Sequence, residues 1–206
     1  AWSALRDAPT PRRSTPYAAF RKPVLASCDR QGYPHQRVMV LRGVDCEGLD
    51  EPTGAAAQPA SLPRLRFHSD VRAPKYRHFV ESPRCAVLFY DKGQKLQLRV
   101  SGTVTLRELQ AGCEEATAAW RGSAAASRRC YYMGAGPSER TSLEELLALE
   151  DDVLSADAAN EEAISPHFAC IFVHVHELEF LYLSHTGSRR AVARYALDGG
   201  SLTQSC

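Results

Sequence analysis

Basic and hydroxyl side chains stand beside apolar strands at two places in this 206-residue chain. The segment RVMVLR, residues 37–42, begins and ends with arginine. The segment HSDVRAPK, residues 68–75, places Ser69 and Lys75 between a predicted strand and a predicted helix. A helix N-terminus offers unpaired N–H groups and a positive dipole end, so a lysine there becomes favourable when a phosphate is bound. Together the two segments predict a site for an anionic ligand.

The roles of these side chains depend on strand geometry. If RVMVLR is a regular strand, Arg37 and Arg42 point to opposite faces and have separate functions. Gln97 lies early in the predicted strand KLQLRVSGTVTL, and its amide can pair with the polar edge of a heterocycle. Each residue alone also fits a simpler role: a solvated or snorkelling arginine, a surface lysine or a satisfied core amide. The hypothesis of an anion-binding site therefore depends on these residues occurring together.

The hydrophobic pattern predicts a mainly β chain with short helices. We expect roughly eight strand segments, among them residues 23–28, 35–44, 64–69, 84–91, 95–106, 167–184 and 189–197. Helices are predicted near residues 17–20, 74–82, 107–120 and 141–154. Short turns between neighbouring strands indicate an antiparallel sheet, and a closed or partly closed barrel is the economical way to protect its edges.

The chain reads as one domain with a loosely held start. Residues 1–16 are rich in Pro, Arg and Ser and are expected to form a flexible arm. Residues 17–206 are expected to form a single domain, within which residues 45–63 make a loop insertion.

Composition limits the classes of function and the compartment. A net charge of +1 gives no basic surplus for nucleic acid, and no apolar run approaches the roughly 20 residues that span a bilayer. The seven cysteines contain no C-x-x-C pair, which argues against a zinc ribbon or disulfide framework and favours a reducing cytoplasm or organelle interior. A start at Ala1 is compatible with a removed targeting peptide. His174 and His176 share one strand face and are expected to be hydrogen-bonded or solvated, so no metal site is predicted.

Five phrases in a fixed order carry a family resemblance. They are RVMVLRG, LRFHSDVRAPK, PRCAVLFYD, LQLRVSG and LEFLYLS…RRA, spread over about residues 20–195. This set resembles the pyridoxamine 5'-phosphate oxidase superfamily of FMN-binding split barrels, and within it the branch described as pyridoxamine 5'-phosphate oxidase-related, FMN-binding. The resemblance implies a six-stranded antiparallel Greek-key split β-barrel, a homodimer, and FMN in clefts at the subunit interface.

The resemblance also implies roles for individual residues. Arg37 would grip the FMN phosphate, and His68, Ser69 and Lys75 would complete the phosphate pocket. Arg42 would face the ring or the substrate. The remaining positions that it assigns to the cofactor are Val38, Met39, Val40 and Leu41 along the flavin, and Gln97 and Arg194 near the polar edge of the ring. Arg190 would contact the substrate.

The predicted function is an FMN-dependent oxidoreductase that acts on a small molecule. No side chain is assigned as a catalytic acid or base. The R-x-H substrate motif of pyridoxamine phosphate oxidases has Val192 in place of histidine, and Leu181 stands where a tryptophan often covers the flavin. These departures do not favour pyridoxamine phosphate as substrate. The alternatives are a non-catalytic or regulatory flavin binder, and the same fold binding haem or a deazaflavin.

Overall fold

The chain folds as two compact units whose segments alternate along the sequence. The computed structural model describes residues 1–9, 18–46, 61–109, 112–144, 165–198 and 201–205. Unit 1 comprises Ala1–Phe67, Ser82–Thr105 and Phe172–Cys206, and unit 2 comprises His68–Glu81 and Leu106–Ile171.

The mainly β prediction with short helices is confirmed. The strands of the described residues are β1 (Val24–Cys28), β2 (Pro34–Val38), β3 (Leu41–Asp45), β4 (Arg64–Asp70), β5 (Arg84–Asp91), β6 (Leu96–Glu108), β7 (Phe168–Tyr182), β8 (Arg189–Asp198) and β9 (Ser201–Ser205). Helices in the same residues are α1 (Trp2–Asp7), α2 (Pro74–Glu81), α3 (Glu114–Arg121) and α4 (Ala125–Arg128), with 3-10 turns at Ala18–Arg21 and Arg129–Tyr131. Nine strands are therefore described, against roughly eight strand segments expected, and β9 had no counterpart in the sequence pattern.

The order of the strands closes the sheet in unit 1. Seven strands follow one another in the order β2-β1-β5-β6-β7-β4-β3, and β8 and β9 extend from β7. The two end strands are consecutive in the chain, with only Met39 and Val40 between them. Each of the seven strands has residues in unit 1. Because a two-residue link joins both ends of the path, the sheet must curl round until its edges meet.

The segment predicted as one strand over residues 35–44 is two strands. β2 pairs with β1, and β3 pairs with β4. The β3 ladder also has a bulge, because Leu41 pairs with Phe67 and Gly43 with Arg66, which leaves Arg42 as the extra residue. Simple alternation from Arg37 to Arg42 is therefore wrong, since the break and the bulge both reset which way a side chain points.

The flexible arm predicted for residues 1–16 is wrong for its first part. Residues 2–7 form α1, in which Trp2 and Leu5 are buried. The indole Nε1 of Trp2 donates a hydrogen bond to the Tyr195 hydroxyl at 2.9 Å. Pro, Arg and Ser dominate the composition of the segment as a whole, and they obscure a short apolar stripe that reaches the core of unit 1.

The helix predicted over residues 107–120 begins later, at Glu114. β6 runs on to Glu108, and the Leu109 N–H donates to the Phe168 carbonyl at 3.2 Å, so the strand takes the first residues of the predicted helix. The first turn of α3 carries Glu114 and Glu115, which favour its dipole. Most of the predicted 45–63 loop and of the predicted 141–154 helix lies outside the described residues.

Each unit has its own aromatic core. In unit 1, Phe20 and Phe89 are fully buried and meet edge to face with ring centroids 5.7 Å apart. In unit 2, Phe168 meets Trp120 and Tyr131, each at 5.0 Å between centroids. Aromatic pairs at this spacing stabilise a core beyond the area they bury.

Candidate functional site

Arg37 lies half-buried at the edge of unit 1 and is held by neutral groups. Its Nη1 donates to the Leu25 carbonyl at 3.1 Å and to the Ser27 hydroxyl at 2.8 Å. No acidic side chain of the described residues forms a salt bridge with it. Desolvation by burial lowers the pKa of the Arg37 guanidinium. A partly desolvated guanidinium without an acidic partner is stabilised when a bound anion neutralises its charge.

Strand register places Arg37 and its neighbour on different faces of the sheet. Arg37 is opposite Leu25, which is opposite Val87, and both of these are buried. Val38 is opposite Val24 and is 63% exposed. Arg37 therefore belongs to the inner face, and Val38 belongs to the outer face.

The rest of the RVMVLR segment leaves one ladder and enters another. The Met39 N–H still donates to the Pro23 carbonyl at 2.9 Å, and Val40 lies in neither strand. Leu41 is buried, and Arg42 occupies the bulge. The Arg42 carbonyl accepts from Arg66 Nη2 at 3.3 Å. The backbone predicted to lie along the flavin is thus a break between strands, where peptide groups are not all committed to a sheet.

The HSDVRAPK junction is organised by an internal ion pair in unit 2. Asp70 is buried and accepts from Arg72, whose Nη2 lies 2.8 Å from Asp70 Oδ2. Hydrogen bonding by Asp70 raises the pKa of the Arg72 guanidinium. Arg72 Nη1 also donates to the Met133 and Gly134 carbonyls at 3.0 and 3.1 Å. Asp70 and Arg72 of the junction therefore neutralise each other's charge.

The other junction residues fall in the same unit. Ser69 is buried, and its hydroxyl donates to the Asp70 carbonyl at 3.0 Å. The His68 ring packs edge to face on Phe168 at 4.9 Å, and its Nδ1 lies 3.5 Å from Ser123 Oγ. Lys75 is the second residue of α2, in the first turn as predicted. The phosphate-pocket roles of His68, Ser69 and Lys75 stay predictions.

Gln97 lies on the outer face of unit 1, half-buried. It pairs with Tyr90 across β5 and β6, two residues from the Leu88–Arg99 pair on the same face. The register therefore puts Gln97 on the opposite side of the sheet from Arg37. Gln97 and Val38 share the outer face, but β1 and β5 lie between their strands.

Arg190 and Arg194 are both paired with glutamates of β7. Arg194 Nε donates to Glu177 Oε2 at 2.9 Å, directly across the strand pair. Arg190 Nη2 donates to Glu179 Oε2 at 2.7 Å. Arg99 Nη2 makes a short contact with the same oxygen of Glu179. The sequence did not single out Arg99, Glu177 or Glu179: alternation in HELEF places the two glutamates on one face, but it does not show that Arg99 of LQLRV lies on the same face.

Glu179 is the buried centre of this cluster. Its side chain is 7% exposed, whereas Arg99 and Arg190 are 54% and 61% exposed. Hydrogen bonds from Arg99 and then Arg190 lower the pKa of the Glu179 carboxyl. The carboxylate therefore anchors two guanidinium groups at the surface.

A groove of about 330 Å³ opens on the outer face beside this cluster. Its lining is contributed by β1, β2, β5, β6 and β7 of unit 1, and it includes Val24, Ala26, Ala86, Leu88, Arg99 and Glu179. Its apolar lining and charged end are the usual composition of a small-molecule site.

The two histidines of β7 are hydrogen-bonded, as predicted. His174 Nε2 lies 2.9 Å from Thr105 Oγ1, and His176 Nε2 lies 2.9 Å from Thr103 Oγ1. Among the described residues, no group of three or more His, Cys, Asp or Glu side chains could hold a metal ion. In the same part of the chain, no helix is long and apolar enough to cross a membrane.

The residues of the candidate site can be compared with the contacts that a flavin mononucleotide needs. Its phosphate needs charge-assisted donors, and Arg37 is a half-buried guanidinium with no acidic partner in the described chain. Its ring needs an apolar surface with a few polar contacts, and Val38 and Gln97 lie on the outer face of unit 1, with β1 and β5 between their strands. Arg37 fits the phosphate and is the first candidate to hold it, whereas Val38 and Gln97 lie on the opposite side of the sheet, so a single subunit does not bring them to the same face as Arg37.

Comparison with known proteins defines the family. A family model described as "Pyridoxamine 5'-phosphate oxidase, FMN-binding domain" matches residues 2–108, more than half of the chain. The chain belongs to this family, which confirms the resemblance in the sequence. The matched region contains the RVMVLR segment, the HSDVRAPK junction and Gln97.

Curated relatives match a shorter stretch. The chain is 30% identical over 81 residues to the pyridoxine/pyridoxamine 5'-phosphate oxidase of Rhodopseudomonas palustris (strain HaA2), covering 39% of this chain and 31% of that protein. It is 31% identical over 80 residues to the protein of the same name from Acinetobacter baylyi, covering 39% and 29%. The aligned stretch thus spans about a third of the length of these relatives.

Solved structures share the fold over most of the chain. A pyridoxamine 5'-phosphate oxidase-related, FMN binding protein from Nostoc punctiforme PCC 73102 aligns with a TM-score of 0.70 at 22% identity, covering 98% of this chain and 92% of that one. PhzG from Burkholderia lata 383, in complex with tetrahydrophenazine-1-carboxylic acid, aligns with a TM-score of 0.67 at 20% identity, covering 91% and 81%. At these identities the likeness establishes the fold.

Proposed function

We propose that this chain is an FMN-binding flavoprotein that oxidises or reduces a small molecule in a cleft at a homodimer interface. The observation that carries the proposal is Arg37, a half-buried cation held by a carbonyl and a hydroxyl with no acidic partner among the described residues. It opens the RVMVLR segment, which lies within the match to the FMN-binding family.

The chain contributes binding and orientation. Arg37 binds the phosphate, while Leu25 and Ser27 hold the guanidinium in place. The break at Met39 and Val40 presents backbone to the ring. Because Gln97 lies on the opposite side of the sheet from Arg37, it is proposed to reach the ring's polar edge from the other subunit of the dimer. When bound, FMN supplies the hydride-transfer chemistry.

The homodimer is supported by exposed apolar side chains. Val38, Leu88 and Tyr90 are 63%, 38% and 48% exposed on the outer face of unit 1. Contiguous apolar surface of this kind is typical of a protein contact. Sedimentation analysis of the purified protein should give a dimer, and Leu88→Arg should shift it toward monomer.

The substrate is expected to differ from that of the curated relatives. Val192 stands where the R-x-H motif places histidine, so pyridoxamine 5'-phosphate should be oxidised slowly or not at all. Arg190 is the proposed substrate contact. Anaerobic reduction of the bound flavin by candidate donors, followed by reoxidation with oxygen, separates an enzyme from a non-catalytic flavin binder.

The first experiment is a visible spectrum of the purified protein, with the ligand identified after denaturation. A two-banded yellow spectrum with released FMN supports the proposal. A Soret band or a released deazaflavin would replace FMN by another ligand. A colourless protein that does not take up added FMN would overturn it.

Arg37→Ala then tests the site itself. The variant should bind FMN more weakly by about 1.5–3 kcal/mol, or about 10- to 150-fold in Kd, the scale of a hydrogen bond to a charged group. The matched control is Arg30→Ala, which removes an exposed arginine from the β1–β2 turn of the same unit. Equal affinity in the two variants would place the phosphate elsewhere.

A further inference from the structure

The bulge in β3 brings two arginines together in unit 1. Leu41 pairs with Phe67 and Gly43 pairs with Arg66, so Arg42 and Gly43 together face the single residue Arg66 on β4. A bulge bends its strand and changes the direction of a side chain, and bulges are frequent next to active sites for this reason. The side chain whose direction is changed here is that of Arg42, at the end of the RVMVLR segment.

The Arg66 guanidinium lies directly over the backbone of this bulge. A Cβ on Gly43 would lie 2.9 Å from Arg66 Nη2 and 3.1 Å from its Cζ, so only glycine leaves room for the guanidinium in this position. Arg66 Nη2 donates to the Arg42 carbonyl at 3.3 Å. Its Nε is buried and has no hydrogen-bond partner in the described residues. Arg66 therefore contacts the peptide group that joins Arg42 to Gly43.

The two arginines of the bulge differ from their neighbour on β4 in their ion pairing. Arg64 Nη2 lies 2.9 Å from Asp45 Oδ2, so its charge is matched. No acidic side chain of the described residues forms a salt bridge with Arg42 or Arg66, and both are half-buried. Like charges at such a short separation repel each other. Because Arg66 already occupies the space over Gly43, the Arg42 guanidinium is directed away from that space.

We infer that Arg66 is a positioning residue for Arg42: it covers Gly43 and binds the Arg42 carbonyl, and so holds the bulge in the form that directs the Arg42 guanidinium toward the flavin ring. Arg66 acts through the backbone and does not touch the ligand. The inference rests on the proposed function, because the flavin is the ligand that Arg42 would face. A guanidinium held near the ring favours the negative charge that the ring gains on reduction, so it raises the reduction potential of the bound flavin.

The test is the midpoint reduction potential of FMN bound to the purified protein, measured against a reference dye without oxygen. Arg42→Ala should lower the potential, because the cation is lost. Arg66→Ala should lower it by a smaller amount, because Arg42 remains but is no longer held. The matched control is Arg64→Ala, which removes the same charge two residues away on β4 and should leave the potential near that of the wild type. An equal decrease in Arg64→Ala and Arg66→Ala would mean that only the overall charge matters, and the inference would be wrong.

Gly43→Ala separates position from charge. The variant removes no charged group, and its new Cβ meets the flexible end of the Arg66 side chain, which can move aside without breaking the strand. The potential should fall as it does in Arg66→Ala. The double variant should be no lower than Arg66→Ala alone, because both changes disturb the same contact. A wild-type potential in Gly43→Ala would overturn the positioning role, and this variant also tests it if Arg66→Ala does not fold.

A second pair of variants tests whether Arg66 acts through Arg42. When Arg42 is already alanine, Arg66→Ala should cause no further decrease in the potential. A further decrease of the same size as in the wild-type background would contradict this dependence. If FMN binds and Arg42→Ala leaves the potential unchanged, the inference fails and the flavoprotein stands. If the wild type takes up no FMN, the proposed function fails as well.

Discussion

Trp2 and Tyr195 join the start of the chain to β8 by a buried hydrogen bond of 2.9 Å. Their rings also meet edge to face, with centroids 5.9 Å apart. The contact spans 193 residues of sequence, so it ties the first helix of unit 1 to one of its last strands.

Trp2→Phe should lower the free energy of unfolding by about 1–2 kcal/mol, because the Tyr195 hydroxyl loses a buried donor. Urea unfolding measures the change. Ser3→Ala is the control, since Ser3 is exposed on the same helix. Equal stability of the two variants would mean that the Trp2–Tyr195 hydrogen bond does not contribute to stability.

Ser27→Ala should weaken FMN binding without removing the cation. The Ser27 hydroxyl accepts from Arg37 Nη1 at 2.8 Å, so its loss lets the guanidinium turn away. A fluorescence titration with FMN should show a smaller loss than Arg37→Ala. The double variant should be no weaker than Arg37→Ala alone, because Ser27 acts through Arg37. Additive losses would contradict this dependence.

Gly102→Ala should destabilise unit 1 by about 1–3 kcal/mol. A Cβ at this position would overlap the His174 carbonyl oxygen on β7 and lie 3.2 Å from Val173 Cγ1. Neither the carbonyl nor the strand can move without disturbing the ladder. Thermal unfolding measures the effect against Gly93→Ala, where the nearest atom is the flexible Asp91 carboxylate at 3.3 Å. A neutral Gly102→Ala would show that β6 and β7 are further apart than described.

The contribution of Glu179 to stability should disappear in acid. Hydrogen bonds from Arg99 and Arg190 lower its pKa in the folded state. A lowered pKa means that the stabilisation is complete above the ordinary glutamate value of about 4.3 and is lost as the pH falls through the folded value. Urea unfolding of wild type and Glu179→Gln should therefore differ at pH 7, and the difference should shrink as the pH falls below the ordinary glutamate value and through the lowered folded value. A constant difference over this range would contradict an ionic role.

The sequence predicts those parts of the fold that follow local rules. β5 begins and ends at the predicted residues 84 and 91, and α2 begins at Pro74 as expected from the preference of proline for the first turn. The break at Met39 and Val40 could not be predicted, because RVMVLRG is uniformly strand-forming. The segment is divided only because its first part pairs with β1 and its second part pairs with β4.

Part of the candidate site could likewise be predicted from the sequence, and part could not. Arg37 could be singled out because it begins an apolar strand, and its phosphate role, which stays a prediction, follows from the family resemblance. Glu179 was missed because HELEF reads as an ordinary solvated end of a strand, and its burial follows from arginines that lie 80 and 11 residues away. Such a cluster exists only once three strands are aligned, and no local pattern records that alignment.

The two-residue link at Met39 and Val40 couples the register of β2 on β1 to the register of β3 on β4. Slipping β2 by one residue against β1 would turn Arg37 outward and Val38 inward. Two linking residues are too few to absorb that slip, so β3 would have to move along β4 as well. An error at one edge of the barrel is therefore transmitted to the other, and only one alignment satisfies both ladders.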